Sequence, residues 1–368
     1  MCKPGDIYVA LKGATKDGSM VGSVARVPAT VPSGRLTQDT ARLDFKNDSA
    51  EVRRLLYWLL RTPQYRDYCD GRYTGSASAS FSREDFLAFP IPDPSPEVAV
   101  LAELFDRLED KIELNRQTNE TLEALARAIF KDWFVDFGPT RAKAEGRAPY
   151  LAPALWDLFP DRLDEEGKPE GWERSVLGAV AESPRRGISP EDFAPDTPYI
   201  GLEHMPRRSI TLADWEGAGK VASNKSIFKK GEFLFGKLRP YFHKVGIAAV
   251  DGICSTDIVI VIPKTTTFRS FVLLCLSSDE FVDYASRTST GTKMPRTKWQ
   301  TMARYAIPLP PRSIVAAFQD LTAPLMEQIL ANIHESRTLA QTRDLLLPKL
   351  MSGEIRLRDA ERMVEDAA

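Results

Sequence analysis

The stretch NRQTNETLEALARAIFKDWF, residues 115–134, reads as a strong helix whose apolar seam carries two amides. Followed in both directions, the seam is Leu101, Phe105, Leu108, Ile112, Asn115, Asn119, Leu122, Ala126, Ile129 and Trp133, in alternating steps of four and three. That spacing is the heptad rule for a helix lying along another helix. Ser95 and Pro96 supply an N-cap and a proline at the first helical position, and Gly138-Pro139 closes the run. Leucine is the usual choice where Asn115 and Asn119 sit, because an unpaired buried amide costs about 1–3 kcal/mol.

A second seam in the later part of the chain offers the partner: Phe318, Thr322, Leu325, Ile329, Asn332, Ser336, Leu339, Arg343, Leu346 and Leu350, with Gly353 as a C-cap. Its positions follow those of the first at one constant displacement, Phe318 answering Leu101 and Leu350 answering Trp133. Thr322 and Arg343 are poor seam residues, and Pro324 should kink or delay the helix start. Antiparallel pairing with Leu101 opposite Leu350 brings Asn115 to Ser336 and Asn119 to Asn332. Polar then meets polar, and slipped registers are penalised. A parallel pairing would also match Asn115 with Asn332, so the amides pin register and not orientation. The alternative is that both asparagines face solvent on a frayed seam. A seam of roughly 33 residues at about 1.5 Å each is a rod near 50 Å. It would span about 15 base pairs and hold two domains a set distance apart.

The chain is an internal repeat. LLRTPQYRDYCDGRYTGSAS (59–78) aligns with CLSSDEFVDYASRTSTGTKM (275–294) at an offset of 216, which also carries Ile91-Pro92 onto Ile307-Pro308. KPGDIYVALKG (3–13) resembles KKGEFLFGKLR (229–239) at an offset of 226. Each half therefore reads as a mixed α/β domain followed by a long helix, an α+β chain. GEFLFGKL and DIVIVIP read as strands, SFVLLCLSSDEFVDYA as a helix, and RTSTGTKMPRTKW as a polar, basic loop before the apolar run ARYAIPLPP.

Size and composition leave room for this. The 368 residues suffice for two or three domains, and 43% hydrophobic with 27% charged is ordinary for a globular chain. No long apolar run marks a membrane span, no secretory signal is legible at the start, and the cytoplasm is the expected location. Cys2, Cys69, Cys254 and Cys275 form no CxxC pair, and only His204, His243 and His334 could add nitrogen ligands, so no metal site and no cofactor is expected. The net charge of −2 is unevenly placed. Residues 221–300 hold twelve Lys and Arg against six Asp and Glu, whereas 96–137 hold five against ten. One region is suited to an anion and the other is not, or the surface is simply uneven.

NETLEALARAIFKDWFVDF and LLLPKLMSGEIRL resemble the two central repeats of the S (specificity) subunit of type I restriction-modification enzymes, and PEGWERSVLGAV (169–180) resembles the opening of a target-recognition domain in that family. The resemblance covers nearly the whole chain. It implies two target-recognition domains, each reading half of a split double-stranded DNA site. They are separated by an antiparallel pair of coiled-coil helices that dock two methyltransferase subunits, and motor-nuclease subunits join for cleavage. The S subunit itself is non-catalytic. The expected boundaries are 1–95 for the first recognition domain, 96–137 for the first spacer helix, and 138–168 for a linker. They continue with 169–312 for the second recognition domain, 313–353 for the second spacer helix and 354–368 for a tail. Lys230-Gly231 lies deep inside the second domain, which opens at Pro169, but its counterpart Pro4-Gly5 lies at the chain start. The first domain is therefore expected to lack roughly its first 55–60 residues, the counterpart of most of 169–229: either Met1 is not the natural start, or the gene is truncated, or the domain is genuinely short. A scaffold that binds methyltransferase subunits without full DNA recognition is the alternative function.

Motifs for chemistry are missing or unconvincing. There is no (N/D)PP(Y/F) tetrapeptide for a flipped base and no GxSxG. GAGKVAS (217–223) lacks phosphate-loop spacing. PDRLDEEGK (160–168) has the letters of a nuclease site, but its carboxylates are too close together and a Gly-containing turn explains it better. Glu109-Asp110 and Glu165-Glu166 read as solvated surface. For binding, FGKLRPYFHK places Lys237, Arg239, Tyr241, His243 and Lys244 together, and the following basic loop adds Thr290, Lys293, Arg296 and Lys298. Lys and Arg neutralise phosphates, while Arg, His and Thr reach base edges. In the first domain Lys12, Arg72, Thr74, Ser76 and Ser78 are the counterparts, hydroxyl-rich and nearly uncharged. The other reading is that these are merely exposed loop residues.

Overall fold

The computed structural model describes residues 1–13, 20–46, 48–75, 79–91, 96–351 and 362–364. They form two compact units: Met1–Leu114 with Glu335–Ala368, and Asn115–His334. Each long helix, Pro96–Phe130 and Arg312–Met351, contributes one segment to each unit. Ser95, Gly353, Ser76 and Ser78 lie outside the described residues, as does the side chain of Leu350.

The second unit carries two five-stranded sheets. In one of them Phe233–Gly236 is central, antiparallel to Val245–Ala248 on one side and to Ile258–Pro263 on the other. Phe233, Phe235, Val245, Ile247 and Val261 point from that sheet into a core shared with the helix Arg269–Leu276. The first unit has the same centre at smaller scale. Ile7–Ala10 runs antiparallel to Val24–Arg26 and to Thr40–Arg42.

The repeat is physical and extends to single atoms. Thr62 caps the helix Pro63–Asp70 by accepting from the Tyr65 amide, and Ser278, its counterpart in the repeat, caps Asp279–Arg287 by accepting from Phe281. The Tyr68 hydroxyl donates to the Asp85 carbonyl at 2.8 Å, and Tyr284 donates to Thr301 at 3.1 Å. Thr74 bridges Ser80 as Thr290 bridges Arg296. Gly75 and Gly291 close those hairpins with φ of 105° and 102°, a region only glycine enters freely. One expectation fails here. SFVLLCLSSDEFVDYA is two helices, because Ser277 and Ser278 cap the first and start the second.

The long helices run antiparallel within each unit. In the second, Asn332 donates its side-chain amide to Asn119 Oδ1 at 2.8 Å, and Phe130 packs on Phe318. In the first, Leu101, Phe105 and Leu108 share a core with Leu339, Leu346 and Leu347, and Glu109 pairs with Arg343 at 3.7 Å. Asn115 and Asn119 are both buried, so neither lies on a frayed, solvated seam. Ser336 is half-buried.

Four sequence readings of these helices need correction. Pro324 sits inside the unbroken helix Arg312–Met351. It is exposed, so water can serve the Asp320 carbonyl that loses its donor. Thr322 is fully buried and bonds its hydroxyl back to the Phe318 carbonyl at 2.6 Å. Gly138-Pro139 does not close the first helix by a glycine cap. The helix passes through a π-turn, Lys131–Val135, the left-handed residue is Phe137 (φ 54°), and Gly138 and Pro139 open the next helix. Glu109 is not solvated surface, since it accepts from Arg61 at 2.7 Å and from Tyr57 at 3.1 Å. Beside it Asp106 accepts from Arg26, Arg54 and the Trp58 indole, all at 2.9 Å. The acidic helix is thus answered by arginines of the sheet and first helix of its own unit.

Candidate nucleic-acid interface

In the second unit the residues of interest hang on a turn that follows the central strand. The chain leaves Gly236, takes a left-handed step at Arg239 (φ 50°), makes one 3-10 turn over Pro240–Phe242, and takes another left-handed step at His243 (φ 53°). Such steps are unfavourable for residues with a Cβ and persist only when the surroundings hold them. Here they are held from several sides. The Arg239 amide donates to the Pro295 carbonyl at 2.7 Å, the Arg208 amide to His243 at 2.9 Å, and Thr297 to Lys237 at 3.0 Å. The turn and the loop 290–298 are therefore one folded piece.

That arrangement divides the residues named from sequence. His243 is buried; its Nε2 meets the Ser277 carbonyl at 2.9 Å and its Nδ1 lies 3.5 Å from Asp279. Burial pushes its pKa below the ordinary 6.5, so it is a neutral brace and cannot reach a base edge. Lys244 likewise turns inward to the Leu202 carbonyl, and burial lowers its pKa. Arg296 is exposed but pairs with Asp257 at 3.0 Å, and Asp257 offsets its charge. Lys293, Lys298 and Tyr241 are exposed. Arg239 reaches the Lys293 carbonyl at 3.4 Å. Thr290 closes the hairpin through its backbone.

A cleft of 310 Å³ brings Lys237 and Lys298 together with Arg185, Thr256, Trp299 and Gln300. Arg186 at the same wall is held by Glu232 at 2.8 and 2.9 Å. Two cations were missed in the sequence: Arg185, which lines this cleft, and Arg207, whose guanidinium lies 4.2 Å from the Phe242 ring centre. Both lie far from the turn in sequence, and the doublets Arg185-Arg186 and Arg207-Arg208 were the only signal.

In the first unit Lys12 and Thr74 both bridge Ser80, so they flank one hairpin. Both are exposed. The Arg72 guanidinium lies over Tyr68, 3.8 Å from the ring centre.

The sites weighed for chemistry resolve into structure. Residues 160–168 form a turn in which Asp164 accepts from the amides of Glu166 and Lys168, while Asp161 pairs with Lys143. Glu166 pairs with Arg174 at 2.7 Å. Cys254 and Cys275 are buried and their pKa is pushed up to about 12, which keeps both as unreactive thiols. No helix among the described residues is long and apolar enough to cross a membrane.

Comparison with known proteins gives a consistent result. Residues 169–337 match the family model of the type I restriction modification DNA specificity domain. The type I restriction enzyme HindI specificity subunit of Haemophilus influenzae is 26% identical over 347 residues, covering 80% of this chain and 74% of that protein. The MjaIX specificity subunit of Methanocaldococcus jannaschii is 27% identical over 330 residues, covering 84% and 70%. The fold is similar to that of the crystal structure of the type I restriction-modification S subunit of M. genitalium. The TM-score is 0.52 at 13% identity, over 95% of this chain and 83% of the other.

Proposed function

We propose that this chain, which is similar to the specificity subunits of type I restriction-modification systems, is the part of such an assembly that reads double-stranded DNA and carries no chemistry of its own. Each α/β unit reads one half of a bipartite site. The long helices dock two methyltransferase subunits, and motor-nuclease subunits join that complex.

The observation that carries this reading is the repeated hairpin. Thr74 bridges Ser80 in one unit as Thr290 bridges Arg296 in the other, and a left-handed glycine, Gly75 or Gly291, follows the threonine in each. The scaffold is kept while the tip changes from hydroxyl-rich to cationic, as expected of two readers with different targets. Lys237, Lys293 and Lys298 would neutralise phosphates, with Arg185 in the cleft of Lys237 and Lys298 and Arg207 over Phe242 of the turn. Arg239 and Tyr241 are the side chains placed to approach bases. His243, Lys244 and Arg296 position the turn. In the first unit Lys12, Arg72 and Thr74 take the corresponding work, with Ser76 and Ser78.

The test is fluorescence anisotropy of duplex DNA against the chain assembled with its methyltransferase subunits, over a range of salt. Lys293→Ala and Lys298→Ala should each lower the magnitude of the salt slope by about 1, for all sequences alike. Arg239→Ala should weaken the preferred site most. If the complex assembles but shows no sequence preference, the scaffold reading stands instead.

A further inference from the structure

The repeat also shows a seat that is filled in one unit and open in the other. In the second unit Glu173–Val176 pairs antiparallel with Ala306–Leu309. The chain then turns through Leu177–Val180, and Ala181–Glu182 adds to the edge of Ile258–Pro263. Leu177 donates to the Tyr305 carbonyl and Gly178 to the Ala303 carbonyl, both at 2.9 Å, while Lys264 donates to Val180 at 2.8 Å. Leu177, Val180 and Ala181 are buried there.

At the offset of 216, Ala303, Tyr305 and Ile307 become Leu87, Phe89 and Ile91. Strand register makes Asp44 and Phe45 the counterparts of Ile262 and Pro263, because Leu43 lies opposite Ile7 as Val261 lies opposite Phe233. These counterparts line an open groove of 390 Å³ whose floor includes Val9, Leu43 and Leu60. Ile91 is 53% exposed where Ile307 is 3% exposed, and Leu87 at the rim is 79% exposed. Phe86 is half-buried where its counterpart Met302 is fully buried. The groove thus keeps the apolar floor of the filled seat, beside a strand edge unpaired among the described residues.

We propose that this groove binds a polypeptide segment of the same kind as Glu173–Glu182: a short strand, a Leu-Gly-Ala-Val turn and a second strand. The second strand would pair at Asp44 and Phe45, just past Thr40–Arg42, the first would lie along Phe89 and Ile91, and the two aliphatic side chains of the turn would cover the floor. Residue Leu87 is larger than Ala303, against which Gly178 packs with its Cβ position only 3.1 Å away. The occupant therefore needs a small residue at that point of its turn. This inference stands whether or not the chain reads DNA.

The probe is a fluorescein-labelled synthetic peptide of this chain's residues 169–183, titrated with the full chain and followed by anisotropy. Saturable one-to-one binding is expected, weakened about tenfold or more by Ile91→Asp or Leu87→Asp, since both side chains would lose apolar cover. Both are exposed in the free chain, so neither change should unfold it, and circular dichroism checks this. A peptide carrying Asp at the Leu177 and Val180 positions should not bind. The proposal is overturned by absence of saturable binding. Binding insensitive to Ile91→Asp would mean exchange into the second unit and overturns it too. So would self-association that Ile91→Asp abolishes while the peptide stays unbound, which would give the groove to a second copy.

Discussion

Asn119 and Asn332 show how much one buried pair decides. Their side chains meet at 2.8 Å, and Gln328 donates to Asn332 Oδ1 at the same distance, so neither amide is left without a partner. Asn332→Leu should destabilise the chain by about 1–3 kcal/mol, because Asn119 Oδ1 is then buried without its donor. The double change Asn119→Leu with Asn332→Leu should recover part of that loss; urea unfolding of the three variants measures it. His243 is legible only as a residue type in the sequence, and its burial reverses the role expected of it. Its pKa is depressed from 6.5 by desolvation, so below that pH the unfolded chain binds a proton that the folded chain resists. Stability should therefore be flat above about pH 6.5 and fall as pH drops through that value. His243→Asn should flatten the fall, as thermal midpoints between pH 8 and 5.5 would show.

At the scale of elements, the heptad spacing found both long helices but not everything that holds them. Past Asn119 the buried stripe widens. Leu122 and Ile129 are only half-buried, while Glu123, Ala126 and Phe130 are fully buried. The cause is a second neighbour. This segment packs on the α/β part of its unit as well as on the other helix, with Phe130 against both Phe271 and Phe318. Glu123 is the polar anchor of that contact, accepting from the Ile210 amide at 3.0 Å, from Ser209 at 2.9 Å and from Arg127 at 2.7 Å. Glu123→Ala should cost about 3 kcal/mol in chemical denaturation, since it strands the buried Ile210 amide and removes the carboxylate that pairs with the half-buried Arg127. No spacing rule marks a glutamate beside a leucine seam as an anchor. At the helix end, a Cβ on Gly138 would collide with Asp132 Oδ1 and stand 2.7 Å from the Tyr150 hydroxyl. Gly138→Ala should break the Tyr150–Asp132 hydrogen bond of 2.9 Å and lower stability by about 1–3 kcal/mol, read by thermal unfolding.

For the molecule as a whole, the duplication is the organising fact. Tyr65 and Tyr68 pack edge-on against Phe89 with ring centres 5.0 Å apart, and Phe281 and Tyr284 pack at a steep angle against Tyr305 at 5.1 Å each. Tyr68→Phe and Tyr284→Phe should each cost about 1 kcal/mol in their own unit, and the losses should add, because the two sites share no partner. Urea unfolding of the single and double variants checks the sum. What the chain's order of residues determined alone was the repeat, its register, two strands of the second unit, the two long helices and the polar layer within them. These are local or periodic properties, set by side-chain chemistry at fixed spacing. What only the tertiary structure decided was which cations remain free. Lys244 and His243 turn inward, Arg296 meets Asp257, and Arg185 and Arg207 arrive from distant segments, because charge pairing and burial depend on neighbours that spacing does not reveal. The open groove of the first unit belongs to the same class: an apolar face becomes a seat only when the fold shows what covers its twin.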